Sequence, residues 1–180
     1  SIGAVASRLG RPLRGLHVAL QGLGQVGIRL ARQLHQAGCR LTVTDLDPAK
    51  VEAVVRDLGA TAVAPLAIYD VLADVFSPNA GGSVLSASTI ARLRCRAVAG
   101  AANEQLATPA DGDALHARGI LYAPDYVVNA GGLISILWER GLADRVEVEA
   151  RTQAIGLTLG LVLDRAKREG ASPHRVADRM

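Results

Sequence analysis

Leu16-His17-Val18-Ala19-Leu20-Gln21-Gly22-Leu23-Gly24-Gln25-Val26-Gly27 decides the fold. Its first six residues form an apolar run that stops at a glycine cluster, as a strand buried on both faces of a parallel sheet does. Beyond it, Val26, Leu30, Leu34 and Ala37 recur every three or four positions up to Gly38, which predicts one helix and its stop. Leu41-Thr42-Val43-Thr44 is a second β-rich run. Pro48 then opens a helix with Val51, Val54, Val55 and Leu58 on one face, and Gly59 ends it. Strand, helix, strand, helix over residues 16–59 calls for a parallel sheet, because right-handed crossovers place the connecting helices over its two faces.

Working outward, short strands are expected near residues 61–63, 74–76, 97–100 and 120–123. After Pro124 two helices follow, about 127–140 and 146–169. No repeat, low-complexity tract or linker divides the 180 residues. The expectation is therefore a single α/β domain over residues 1–180, a Rossmann-type, doubly wound, mostly parallel sheet with C-terminal helices.

Gly22-Leu23-Gly24-Gln25-Val26-Gly27 is a G-x-G-x-x-G, a weak sign alone that gains weight from its context. It follows a strand, opens a helix, and precedes a second strand ending at Asp45. Gly22 permits the tight turn, Gly24 lets the backbone approach a pyrophosphate, and Gly27 lets the helix pack closely on the strand. The helix N-terminus then offers unpaired N–H groups and a positive dipole end to phosphates. Asp45 can accept hydrogen bonds from both ribose hydroxyls and would repel a 2′-phosphate. Leu46 and Asp47 supply no Arg to offset that repulsion, so NAD is expected rather than NADP. The competing role for Asp45, capping the helix at Pro48, suits Asp47 better.

The charge count, 20 Lys+Arg against 17 Asp+Glu, leaves a scattered surplus of three, which excludes nucleic acid and anionic membranes as partners despite a pI near 9.2. The longest apolar stretches, such as residues 154–163, fall well short of the roughly 20 residues that cross a bilayer, and the first residues lack a signal peptide's features. Cys39 and Cys95 cannot form a disulfide framework, so a reducing cytoplasm is the expected compartment. A start at Ser rather than Met suggests a piece of something longer.

Other candidates are weaker. His17, His35, His116 and His174 show no metal-ligand spacing, and no metal site is expected. Arg92, Arg94 and Arg96 alternate ahead of a strand and suggest phosphate binding, but no aromatics interleave with them, and a solvated lead-in to the strand is favoured. Ser77, Ser83, Ser86 and Ser88 lack a G-x-S-x-G elbow. Trp138, with Leu137 and Leu142, reads as core or as an interface anchor.

Two segments are unusual for a generic nucleotide domain: Gly100-Ala101-Ala102-Asn103-Glu104-Gln105-Leu106, and Tyr122-Ala123-Pro124-Asp125-Tyr126-Val127-Val128-Asn129-Ala130-Gly131-Gly132. Small residues and amides at strand ends suit a backbone pressed against a flat ring. With the glycine fingerprint, Val43-Thr44-Asp45 and Phe76-Ser77-Pro78, the chain resembles the glutamate/leucine/phenylalanine/valine dehydrogenase family, most of all its leucine and phenylalanine dehydrogenase branch. The resemblance implies reversible NAD-dependent oxidative deamination of an L-amino acid to a 2-keto acid and ammonia, in an enzyme that is a homo-oligomer. Gly22, Leu23, Gly24, Gln25, Val26, Gly27, Asp45, Leu46, Ala80, Ala102 and Asn103 would then contact the cofactor. Asn103, Leu133 and Ile136 would contact the substrate, and an aliphatic wall implies an apolar amino acid or its 2-keto acid. At Asn79-Ala80-Gly81-Gly82 the family usually reads Cys-Ala-Leu-Gly, a departure in the loop that the resemblance places beside the cofactor.

The family's catalytic lysines and aspartate lie on a preceding substrate domain. Here Lys50 and Lys167 are the only lysines and both read as surface residues, so no catalytic residue is assigned to this chain. The chain looks like the cofactor half of an enzyme and is expected to be inactive alone. The alternatives are a non-catalytic NAD-binding or sensing module and, less well matched at residues 100–106, a dehydrogenase of malic-enzyme type.

Overall fold

A computed structural model describes the backbone of residues 1–180, and the side chains of all of them except Gly132, Leu133, Ser135 and Leu137. The opening apolar run forms β1 (His17–Gln21), in which Val18, Ala19 and Leu20 are all buried. Helix α2 (Gln25–Gln36) follows the glycine loop and leads to β2 (Arg40–Thr44). Helix α3 (Pro48–Leu58) starts on an Asp47 cap, whose side chain accepts from the Ala49 N–H at 3.0 Å, and ends on Gly59 in the left-handed region. Then come β3 (Thr61–Ala62), a 3₁₀ turn (Pro65–Asp70) and β4 (Leu72–Pro78). Every strand pairing is parallel and the order is β3-β2-β1-β4, continuing to β5 (Arg94–Val98) and β6 (Leu121–Tyr122). After β1 the chain winds one way to β2 and β3, then returns to β4 and winds the other way. The gap between the carboxyl ends of β1 and β4 is thus the topological switch point, where ligands of doubly wound sheets bind.

The period-two alternation of the strands feeds two cores. Val18, Leu20, Val43, Val75 and Ala97 pack against Ile2 and Val5 of α1 (Ile2–Arg8), Ala31 and Leu34 of α2, and Leu159 and Leu163 of α8 (Arg145–Glu169). On the opposite face Ala19, Phe76, Val98 and Tyr122 meet Ile68, Ile90 of α4 (Ala87–Arg92) and Leu115 of α5 (Pro109–Ala117). Each such fully buried Leu, Ile or Phe contributes about 1.5–3 kcal/mol, so the sheet is held mainly by burial on both sides.

Two expectations are corrected, and one helix was not foreseen. The helix read over 127–140 is two, α6 (Asp125–Val128) and α7 (Ala130–Glu139), because Asn129 turns its side chain onto the carbonyls of Ala101 and Ala102. The strand expected at 97–100 is β5, which stops at Val98; beyond it Ala102 N–H reaches the Pro78 carbonyl at 3.0 Å, drawing residues 99–102 across the end of β4. Helix α1 has no forecast in the sequence, since seven residues carry too little periodicity to stand out. The last element is α9 (Pro173–Ala177).

Candidate functional site

Three loops meet at the carboxyl ends of β1, β4 and β5: residues 22–24, 79–82 and 99–103. Gly22 has φ +92°, a conformation side chains resist, and a Cβ there would come within 2.6 Å of the Ala80 nitrogen. A Cβ on Gly27 would overlap the Gly22 carbonyl oxygen, so the first turn of α2 lies directly on the loop. Gly24 is different. Nothing lies within 4 Å of where its Cβ would be, and it caps α2 with no side-chain hydrogen bond and no acid in the first turn. The positive end of α2 therefore faces open space beside an exposed backbone. Leu23 is fully buried, whereas Gln25, Val26 and Leu46 are exposed.

Asp45 does more than its position in sequence suggested. One carboxylate oxygen accepts the Leu23 N–H at 2.6 Å and the other accepts the Asp47 N–H at 2.9 Å. Burial works against its charge, but these donors and the charge of Lys50 outweigh it and hold the carboxyl below the ordinary carboxylate range. Asp45 is thus ionised and ties the end of β2 to the glycine loop. Each oxygen keeps lone-pair capacity for another donor.

The other two loops are stitched by amides that sequence reasoning did not assign. Asn79 Nδ2 donates to the Ser77 carbonyl at 2.9 Å, and its Oδ1 accepts the Ala101 N–H at 2.9 Å. The departure from the family's cysteine at this position is therefore a bridge between the ends of β4 and β5. Asn129 Nδ2 donates to the Ala102 carbonyl at 2.8 Å and to Asn103 Oδ1 at 2.9 Å. Buried Gln105 Nε2 donates to the carbonyls of Gly100, at 2.9 Å, and Ala102, at 2.8 Å. Asn103 itself is exposed, Ala102 is buried, and Ala80 is exposed beside Gly22. Asn103, Gln105 and Asn129, in the two unusual segments 100–106 and 122–132, were the available signal, and only folding shows which carbonyls Gln105 and Asn129 serve.

Among the residues expected at a substrate pocket, Ile136 is 42% exposed on α7, and the side chain of Leu133 lies outside the described residues, as does that of Leu137. Trp138 and Leu142 are exposed, which removes the core reading for them. Lys50 pairs with Asp47 at 3.5 Å in the first turn of α3, and Lys167 is exposed far along α8. Among the described residues no group of three or more His, Cys, Asp or Glu could hold a metal ion, and no helix is long and apolar enough to cross a membrane. His17 joins Thr42 Oγ1 at 2.9 Å, and His174 is buried.

Comparison with known proteins agrees with this architecture. The family model for Glutamate/Leucine/Phenylalanine/Valine dehydrogenase matches residues 48–141. The chain is 39% identical over 168 residues to a leucine dehydrogenase of Bacillus cereus, covering 93% of this chain and 46% of that protein. It superposes on the crystal structure of L-tryptophan dehydrogenase from Nostoc punctiforme with a TM-score of 0.94 at 42% identity, covering 99% of this chain and 54% of that one. With a hetero-hexameric glutamate dehydrogenase from Thermus thermophilus the TM-score is 0.76 at 28% identity, over 98% of this chain and 47% of that one. The chain spans about half the length of the curated relatives it matches. With the matched segment exceeding half of its residues and the β1–α2 loop, strand order and amide-stitched loops all in place, the chain belongs to the Glutamate/Leucine/Phenylalanine/Valine dehydrogenase family.

Proposed function

We propose that residues 1–180 form a single dinucleotide-binding domain that holds NAD in an amino acid dehydrogenase, the complete enzyme interconverting an apolar L-amino acid and its 2-keto acid with release of ammonia. The observation that carries the reading is the ionised Asp45 carboxylate at the carboxyl end of β2, bonded to the backbone of the glycine loop. The uncapped α2 N-terminus and the open space at Gly24 fit a pyrophosphate. Bound NAD would supply a hydride acceptor. The chain's own part is to bind and orient it: Gly22, Leu23, Gly24, Gln25, Val26 and Gly27 at the pyrophosphate, Asp45 and Leu46 at the adenosine ribose, and Ala80, Ala102 and Asn103 toward the nicotinamide. Asn79, Asn129 and Gln105 keep the backbone of that last group in register.

Asn103, Leu133 and Ile136 are assigned to the substrate. An aliphatic wall cannot pair a second carboxylate, and burying one unpaired would cost several kcal/mol. Relatives named as leucine, tryptophan and phenylalanine dehydrogenases support the apolar class. Neither lysine is assigned a catalytic role, so turnover is attributed to a longer chain, working as a cytoplasmic homo-oligomer. Calorimetry of this chain should give clearly tighter binding of NAD than of NADP. Kinetics of the full-length protein should give a kcat/KM for leucine or phenylalanine far above that for glutamate, and equal values would overturn the pocket assignment. The second reading, a non-catalytic NAD-binding module, draws on the exposed, solvated positions of Lys50 and Lys167. It predicts that a full-length protein binds NAD and turns over no amino acid.

A further inference from the structure

The cofactor reading uses the carboxyl edge of the sheet and leaves the amino edge unexplained. There, parallel register brings together the first residues of strands far apart in sequence: His17 pairs with Arg40, and Leu72 with Arg94. Two adjoining clefts open on this edge, of about 610 and 650 Å³, and seven of the chain's 20 Lys and Arg side chains line them. Arg96 and Arg118 are common to both. The acid lining them is Asp74, and it is already committed, pairing with Arg11 at 3.3 Å and accepting the His17 N–H at 2.9 Å. Arg118 is held in place, its guanidinium donating to the carbonyls of Ile90 and, at 2.9 Å, Leu93 at the end of α4. Among the described residues, Arg40, Arg94, Arg96 and Lys167 have no ion pair.

We propose that these clefts are a second anion site, at the end of the sheet opposite the glycine loop, and that its ligand is a small molecule carrying a chain of two or more phosphoryl groups. Concentrating like charge in a concave site is unfavourable without a counter-charge, and focusing between low-dielectric walls makes such a site attract anions. Six of the seven cations are arginines; Arg8 and Arg11 are already paired with Asp164 and Asp74, and the unpaired planar forks of Arg40, Arg94 and Arg96 match phosphoryl oxygens in pairs. The cleft volumes suit a small ligand. A nucleic acid is disfavoured because no Phe, Tyr or Trp lines either cleft to stack a base. The alternation of Arg92, Arg94 and Arg96 was visible in sequence. Arg92 leaves the group, since it lines neither cleft and pairs with Asp70 at 2.6 Å, while tertiary structure adds Arg40, Arg118 and Lys167, together with Arg8, which pairs with Asp164, and Arg11, which pairs with Asp74.

Titration calorimetry of the chain with inorganic tripolyphosphate tests the proposal. Three proteins are compared: the parent, the double variant Arg94→Gln/Arg96→Gln, and Gly24→Asp, which puts an acid into the glycine loop. Arg94 and Arg96 are exposed and Gly24 has open space, so both variants should fold, which their melting curves check. The expected result is binding that weakens about tenfold or more in the double variant and stays unchanged in Gly24→Asp. It should also weaken as ionic strength rises from about 0.1 to about 1 M, shrinking the screening length from about 10 to about 3 Å. No binding to the parent, or binding lost only in Gly24→Asp, would overturn the second site. A polyglutamate peptide that binds the parent more tightly than tripolyphosphate would overturn the small-ligand class and assign the edge to an acidic protein partner.

Discussion

Replacing Asp45 by alanine perturbs two things at once, and their separate readouts make the test sharp. The carboxylate takes the Leu23 N–H at 2.6 Å and the Asp47 N–H at 2.9 Å. Leu23 is fully buried, so its N–H loses its acceptor without an easy replacement by water, a cost of about 1–3 kcal/mol. Asp47 is less buried and water can take over there, so the total is about 2 kcal/mol. For a domain of this size that lowers the melting midpoint by about 4–8 °C. Asp45→Asn keeps an acceptor and should lose about half as much. The folded-state pKa lies below the unfolded one, so the stabilisation is fully present above the unfolded value of about 4 and disappears as pH falls through the folded value. The difference between parent and Asp45→Ala should therefore close in acid. Calorimetry on the same proteins reads the second effect: NAD loses a charge-assisted ribose contact, NADP loses a repulsion, and the preference for NAD should narrow about tenfold or more. An Asp45→Ala chain with an unchanged midpoint and an unchanged NAD to NADP ratio would refute both roles, and a parent that prefers NADP would refute the cofactor assignment.

Gly27→Ala places a methyl on the Gly22 carbonyl and should cost about 2–4 kcal/mol in urea unfolding while abolishing NAD binding; a silent substitution would mean that α2 does not rest on the loop. Asn79→Ala removes the acceptor of the Ala101 N–H and should cost about 1–3 kcal/mol, with faster hydrogen exchange at Ala101 as the local readout; unchanged exchange would remove the bridge. Burial pushes the Cys95 thiol up to about 11, so iodoacetamide should modify it slowly at pH 9 in the folded chain and quickly in urea. Because that folded pKa is raised, the linked stability is present below the unfolded thiol pKa and is lost as pH rises toward 11; rapid alkylation of the folded chain at pH 9 would contradict the burial.

The sheet, the helices α2, α3 and α8, and the glycine loop were legible in the order of residues because each depends on local periodicity. Val18 and Leu20 against Ala19, the three- and four-residue spacing after Val26, and the glycines at 22, 24, 27 and 59 are statements about single strands, helices and turns. Their chain order restricts the topology to a few right-handed arrangements, and the observed β3-β2-β1-β4-β5-β6 order is one of them. Contacts between elements had no such signature. An amide can donate to any carbonyl within reach, so only the meeting of the β4 and β5 ends could assign Asn79 to Ala101, and only the turn at Asn129 could split the predicted helix. The same holds for charge. Arg11, Arg40, Arg94, Arg96 and Arg118 are scattered along a sequence whose net charge is +3, yet Arg40 and Arg94 open β2 and β5, Arg96 lies in β5, and Arg11 and Arg118 precede β1 and β6, so parallel pairing concentrates all five at one edge. Local pattern fixes which elements form, whereas the register of strands and the packing of loops decide which side chains share a field.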